Sequence, residues 1–246
     1  MILLNEIMTT LQNGRVVHVN IGLHWTAVQV DVDGNPRCGL ATTLHTNHQH
    51  GIDDVTNAGT LEHLPALEVA KFVFEPENTM TSVGMAAVNA LIPQNPSEWV
   101  DLNAEDVIAE KGCGKSVVLI GHFPFVPRLE PKVGELTVLE LEPRPGDLPA
   151  STAQDVIPSA DVLAITSMTL LNHTLENLLK LVNPKAYVIM LGPTTPLSPV
   201  LYDYGINTLC GAIVSEIDPV LAAVRQGANF RQVHRAGVRL VSITQN

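Results

Sequence analysis

The chain has 246 residues, of which 46% are hydrophobic and 16% are charged, and its formal net charge is −11. This length and apolar content suffice for one large or two small domains with a buried core, which excludes a disordered chain. The acidic balance gives no electrostatic footprint for nucleic acid or for an anionic membrane surface. No leader peptide or membrane-spanning run is evident, so we expect a cytoplasmic protein.

The N-terminal part predicts an α+β arrangement. Apolar spacing predicts a helix over residues 2–13, with Gly14 as a left-handed helix stop. An antiparallel meander follows, and its predicted strands are 15–21, 25–32 and 37–43. Two further helices are predicted at 64–74 and 80–91, and Gly84 in the second permits close packing.

The C-terminal part has a different pattern, in which short apolar runs alternate with helical segments. Continuous apolar runs are typical of parallel strands whose two faces are covered by helices. Strands are predicted at 116–120, 136–141, 162–166, 186–191, 208–214 and 238–243. Helices are predicted at 103–112, 172–182, 198–205 and 218–227. The predicted fold class is α/β: an α+β domain over residues 1–95, followed by a Rossmann-like doubly wound sheet over residues 96–246.

Residues 109–116 fit a loosened phosphate-loop pattern, with Gly114 and Lys115 in the expected order. A phosphate loop follows a strand and opens a helix, so that backbone N–H groups and the helix dipole face the anion. Here a helix is predicted before the glycines and a strand after them. We therefore interpret this segment as a helix stop and a turn.

Three loops after predicted parallel strands carry the candidate ligand-binding residues. The carboxyl ends of parallel strands meet at one edge of a sheet, where doubly wound proteins bind their ligands. The first loop holds a single glycine, so the dinucleotide fingerprint is absent, but it also contains a histidine. The second is rich in hydroxyl groups, and the third is stiffened by prolines. The candidates are Gly121, His122, Phe123 and Pro124, then Ser167, Thr169, Asn172 and Thr174, then Gly192, Pro193, Thr194 and Pro196.

A second candidate site is the polar loop with His45, His48 and His50, close to Asp53 and Asp54. Imidazole and carboxylate groups suit zinc, nickel, iron or copper. The spacing matches no closed zinc module, so a solvated polar loop is the favoured interpretation and a formed metal site is the alternative. The candidate ligands for a divalent transition metal are therefore His122 with His45, His48 and His50.

Several stretches together resemble one family. They are 22–28, 82–90, 120–124, 166–169 with 172–174, and 192–196. In this combination the chain resembles the putative heavy-metal chelation family, over nearly its whole length. The resemblance implies a domain shaped like the N-terminal domain of enolase, a Rossmann-like domain, and a site in the cleft between them. It also implies a role in handling metals or in making a metal-containing or metal-chelating cofactor.

Three functions stay open at this point. The first is a protein that binds a metal ion or a chelating small molecule in the cleft. The second is an enzyme that acts on a nucleotide-like ligand, such as one of the S-adenosylmethionine type, or on a phosphorylated metabolite. The third is a scaffold without catalytic activity, since no acid–base or nucleophile pattern stands out. A small molecule or metal ion is the expected partner, and the chain is expected to form a homodimer.

Overall fold

The computed structural model describes residues 1–45, 53–76 and 78–245. Its strands are β1 (Arg15–Ile21), β2 (Trp25–Val32), β3 (Asn35–Thr42), β4 (Ser116–Ile120), β5 (Glu135–Glu140), β6 (Leu148–Pro149), β7 (Val162–Thr166), β8 (Tyr187–Leu191), β9 (Thr208–Val214) and β10 (Val238–Thr244). Its α-helices are α1 (Ile2–Thr10), α2 (Ala66–Ala70), α3 (Thr79–Leu91), α4 (Ala104–Gly112), α5 (Val126–Leu129), α6 (Ala153–Val156), α7 (Met168–Leu171), α8 (Leu175–Leu179), α9 (Ile217–Arg225) and α10 (Phe230–Gly237).

The first sheet is antiparallel, in the order β1-β2-β3, and α3 packs closely against it. Asn78 caps α3 through a reciprocal capping box with Thr81. A side chain at Gly39 of β3 would collide with the backbone carbonyl of Ala86 in α3, and one at Gly84 would collide with the backbone of Val73. The predicted close packing at Gly84 is therefore present, because the helix and its neighbours touch through backbone atoms.

The second sheet has seven strands, in the order β10-β9-β8-β7-β4-β5-β6. Every neighbouring pair is parallel except β10 with β9. Alternate residues of β4 enter different apolar clusters: Val118 and Ile120 on one face, Val117 and Leu119 on the other. Both faces of the sheet are thus covered, which explains the continuous apolar runs. The predicted α/β class is confirmed, with one antiparallel edge strand in the sheet.

The chain reverses its direction of winding at β4. It first extends the sheet through β5 and β6, and then crosses back to place β7 on the opposite side of β4. The gap between the ends of β4 and β7 is therefore the topological switch point, where open α/β sheets leave a crevice.

The opening helix and Gly14 differ from expectation. The helix ends at Thr10, because Leu11 has an extended conformation, and Gly14 is not among the glycines with positive φ. A side chain at Gly14 would meet the Asp31 carbonyl at 2.8 Å. This position therefore requires glycine for a close approach between segments and not for a left-handed turn.

Two predicted helices are broken into shorter pieces. The 64–74 segment consists of α2 and the 3₁₀ turn Lys71–Phe74. The 172–182 segment contains only α8, which is separated from α7 by His173 with a φ of +57°. A non-glycine residue in the left-handed region interrupts helical hydrogen bonding, which apolar spacing cannot reveal.

Other helix boundaries follow their end signals closely. Asn103 accepts a hydrogen bond from the Asp106 N–H and caps α4, which ends at Gly112 as predicted. A strand follows that turn, so the phosphate-loop geometry is absent there. The 198–205 segment is the 3₁₀ helix Pro199–Tyr204, and Gly205 ends it in the left-handed region. The sequence analysis did not predict β6, α5, α6, α7 and α10, and all of these except α10 have at most four residues.

The two parts of the chain share an apolar interface. Trp25, Cys38 and Leu40 of the first sheet pack in one cluster with Leu221 and Val224 of α9. Among the described residues, no helix has the length and apolar character that a membrane crossing requires.

Candidate functional site

A cavity of about 480 Å³ lies at the switch point, over the carboxyl ends of β4, β5 and β7. We call it the strand-end cavity. All the residues found to line it come from the second sheet and its loops. They are Ile120, Gly121, His122, Phe123, Leu139, Glu140, Leu141, Ala150, Ala153, Thr166, Met168, Thr169, Asn172, Thr174 and Leu178. Its wall is apolar with a few polar groups, as is typical of small-molecule sites.

The first loop brings His122 to the cavity wall. Gly121, with a φ of +97°, lets the chain turn directly after β4, and a side chain there would press on Thr166 at 3.1 Å. The backbone N–H of His122 donates a hydrogen bond to Oε2 of Glu140, at 2.8 Å. This hydrogen bond holds the backbone of the first loop at the end of β5, independently of the contacts of the imidazole.

The imidazole of His122 is oriented by Asp147. Its Nδ1 lies 3.0 Å from Oδ1 and 2.9 Å from Oδ2 of that carboxylate. The Asp147 side chain is only 3% exposed and also accepts a hydrogen bond from the backbone N–H of Arg144. Because a carboxylate only accepts, Nδ1 carries the proton, and in neutral imidazole Nε2 keeps its lone pair. Within the described part of the chain, Nε2 has no hydrogen-bond partner.

The second loop places most of its hydroxyl groups in local hydrogen bonds. Thr169 donates to the carbonyl of Thr166 at 2.7 Å, and Thr174 donates to Oδ1 of Asn172 at 2.7 Å. Thr169, Asn172 and Thr174 line the strand-end cavity, whereas Ser167 is buried and is not among its lining residues. The side-chain N–H groups of Asn172 have no partner among the described residues, so they are the donors this loop leaves for a ligand.

The third loop packs toward the first sheet. Oγ1 of Thr194 accepts a hydrogen bond from the backbone N–H of Thr42 at 3.0 Å, and the Thr194 carbonyl accepts one from Asn89 at 3.1 Å. Gly192, Pro193, Thr194 and Pro196 are not among the residues that line the strand-end cavity. Gly192 touches the second loop, since a side chain there would lie 2.8 Å from Oγ of Ser167.

A smaller cavity, of about 350 Å³, lies between the two parts of the chain. Asn89 and Thr195 line it, and each has a buried polar atom without a hydrogen-bond partner, Oδ1 and Oγ1 respectively. The sequence analysis placed all three loops at one site, whereas the structure places them at two cavities. The first and second loops share the strand-end cavity, and the third loop borders the space between the sheets.

The histidine loop does not join His122 within the described residues. His45 lies within hydrogen-bond distance of the Leu23 carbonyl, to which Nε2 donates at 2.7 Å, while His48 and His50 lie outside the described residues. Among the residues that the structure describes, no three His, Cys, Asp or Glu side chains cluster as a metal site.

Two residues that shape the site escaped the sequence analysis, Glu140 and Asp147. Glu140 ends β5, and Asp147 follows Gly146 in a turn 25 positions after His122. Their one signal is an acidic side chain near the end of a predicted strand or in the turn after it, and many surface residues share that signal. Only the pairing of β5 beside β4 brings both carboxylates to His122.

Comparison with known proteins adds the following matches. The family models DUF4213 and DUF364, both described as "Putative heavy-metal chelation", match residues 4–92 and 103–242. An uncharacterized protein of Methanocaldococcus jannaschii is 23% identical over 228 residues, covering 89% of this chain and 86% of that protein. The division at residue 95 stays a prediction.

Two solved structures have the same fold. A DUF364-family protein with unknown function from Desulfitobacterium hafniense is 26% identical, with a TM-score of 0.83, and the match covers 99% of this chain and 98% of that one. One from Pyrococcus horikoshii is 21% identical, with a TM-score of 0.81 and the same coverage, and shows the fold alone. Because the DUF364 model spans more than half of the chain, this protein belongs to that family, described as "Putative heavy-metal chelation".

Proposed function

We propose that the chain binds a metal ion together with a small chelating molecule in the strand-end cavity. The observation that carries the proposal is the contact between His122 and Asp147. Histidines that ligate metals almost always donate their other ring N–H to a carboxylate, a carbonyl or water, which fixes the tautomer and raises the basicity of the ligating nitrogen. Nδ1 of His122 makes that contact, and Nε2 is left for the metal.

The donor set explains why the metal needs a companion molecule. One imidazole nitrogen does not complete the coordination shell of a transition metal. A chelating molecule supplies the other donor atoms, and a cavity of about 480 Å³ is within the usual size range for small-molecule sites. Asn172 can donate to that molecule from its free amide group. In this proposal the cavity wall includes Gly121, Phe123, Thr169 and Thr174. The residues that pack outside the wall are Pro124, Ser167 and those of the third loop.

A nucleotide-like or phosphorylated ligand has less support. Phosphate groups favour the free N–H groups at the start of a long helix. Helix α7 has only four residues, and the N–H of Met168 at its start is within hydrogen-bond distance of Oγ1 of Thr166, at 3.3 Å. The helix that follows the third loop is a 3₁₀ turn outside this cavity.

The test uses untagged protein from cells grown with added nickel, zinc, copper and cobalt. Elemental analysis should find near-stoichiometric metal in the wild type, and mass spectrometry of the acid-released fraction should find the chelating molecule. His122→Gln should lose both. The matched control is His63→Gln, because His63 is exposed and is not among the residues that line the cavity.

Two results would contradict the proposal. One is wild-type protein that carries no metal and shows no thermal shift with any of these ions. The other is equal metal content in the wild type and in His122→Gln.

A further inference from the structure

We infer that the strand-end cavity selects metal chelates with a net positive charge over chelates with a net negative charge, and that Glu140 is the side chain that discriminates. The inference rests on the proposed function and adds the charge class of the bound complex.

The first observation is the kind of side chain at the cavity wall. Among the described residues that line the cavity, none is a lysine or an arginine. Sites that hold phosphate or carboxylate groups normally present such side chains, most often arginine, because it binds these groups bidentately. Among the described lining residues, the donors for an anionic complex are neutral groups such as the Asn172 amide.

The second observation is that Glu140 and Asp147 have no lysine or arginine partner within the part of the chain that the structure describes. Oε2 of Glu140 accepts the N–H of His122, and Oε1 accepts the N–H of Leu141 at 2.7 Å. Asp147 accepts hydrogen bonds from Nδ1–H of His122 and from the backbone N–H of Arg144. Backbone donors stabilise a carboxylate without cancelling its charge, so with neutral His122 both negative charges remain beside the cavity.

The third observation is the apolar part of the wall. Phe123, Leu139, Leu141, Met168 and Leu178 line the cavity with carbon and sulfur atoms. Charges interact more strongly beside such low-dielectric walls than in bulk water, so one unpaired carboxylate changes the affinity for a charged ligand measurably. The favoured occupant therefore combines an organic body with an excess of positive charge at its metal.

The experiment compares two probes of nearly the same shape. Nitrilotriacetate and tris(2-aminoethyl)amine are both tripodal chelators, and each leaves adjacent coordination positions of Ni²⁺ open. The nickel complex of the first is anionic, and that of the second is cationic. Isothermal titration of each preformed complex into the metal-stripped full chain measures the discrimination by charge.

We expect the cationic complex to bind the wild type at least about tenfold more tightly than the anionic one. Glu140→Gln should remove most of that difference. Glu142→Gln is the matched control, because Glu142 is a neighbouring, exposed residue that is not among the lining residues.

Glu140→Gln removes the acceptor of one backbone N–H, that of His122 or that of Leu141, and this loss could disturb the fold. A second variant therefore tests the charge effect without changing Glu140. Leu141 is 70% exposed at the cavity rim. Leu141→Lys should weaken binding of the cationic complex relative to Leu141→Gln, without altering the hydrogen bonds of Glu140.

The outcomes separate the two proposals. If both complexes bind equally well and both depend on His122, the charge inference is overturned and the proposed function stands. If neither complex binds, or if His122→Gln changes nothing, the proposed function fails and the inference fails with it. Preferred binding of the anionic complex also overturns the inference.

Discussion

Nδ1 of His122 lies 2.9 Å from Oδ2 of Asp147, across 25 positions of the chain, and the aspartate side chain is almost completely buried. A buried carboxylate beside an imidazole holds the ring in one orientation and one tautomer. In the proposed site, this contact gives Asp147 the role of a positioning residue for His122.

We expect Asp147→Asn to weaken binding of a metal chelate by about 10–100-fold while the chain still folds, since outer partners of metal ligands typically contribute that much. Titration calorimetry with the nickel complex of tris(2-aminoethyl)amine measures the change. Asp155→Asn is the control, because Asp155 is exposed on α6. Unchanged affinity in Asp147→Asn would show that the aspartate does not position the ring.

Thr194→Val should destabilise the chain by about 1–3 kcal/mol, because it leaves the backbone N–H of Thr42 without its acceptor. Valine keeps the size of the side chain, so the loss is confined to the hydroxyl group. Urea unfolding followed by circular dichroism measures the free energy of unfolding. Thr60→Val, at an exposed turn, should change it by less than about 0.5 kcal/mol. Equal effects of the two variants would refute the importance of this contact.

Glu105→Gln should lower stability at neutral pH but not in acid. The hydrogen bond from Arg128 is the largest cause that lowers the pKa of Glu105 below its ordinary value of 4.5, and Lys132 adds to it. A carboxyl group whose folded pKa is lowered stabilises the fold above its unfolded pKa, and this contribution is lost as the pH falls through the folded pKa.

The measurement for Glu105 is the difference in urea midpoint between wild type and variant, taken at neutral pH and at several acidic values. The difference should shrink below about pH 4.5 and vanish at lower pH. A difference that persists in acid would mean that Glu105 acts through packing instead of charge.

The three cysteines should differ in reactivity. Burial raises the pKa of the Cys38 and Cys210 thiols to about 12 each, whereas Cys113 is exposed. Because the thiolate is the nucleophile, iodoacetamide at about pH 8 should modify Cys113 alone in the folded chain and all three in urea. Peptide mass spectrometry reads the sites, and modification of Cys38 in folded protein at the rate of Cys113 would contradict the packing described here.

Local signals were sufficient for every described strand except β6 and for several helix ends. The run 116–120 is apolar on both faces, which is typical of a strand buried between two layers of helices. The structure has β4 with the same bounds. Asn103 and Gly205 mark helix ends through a side-chain acceptor and a left-handed backbone, both of which are properties of single residues.

The site depended on relationships that no local signal carries. The sequence by itself determined that His122 follows a parallel strand and therefore lies at the edge where open α/β sheets generally bind ligands. Only the tertiary structure decided that Asp147 and Glu140 hold it, since the strand order places β5 beside β4. It also decided that Thr194 faces Thr42 of the first sheet instead of the strand-end cavity. Strand ends share an edge through hydrogen bonding within the sheet, whereas the direction of each loop depends on what packs over it.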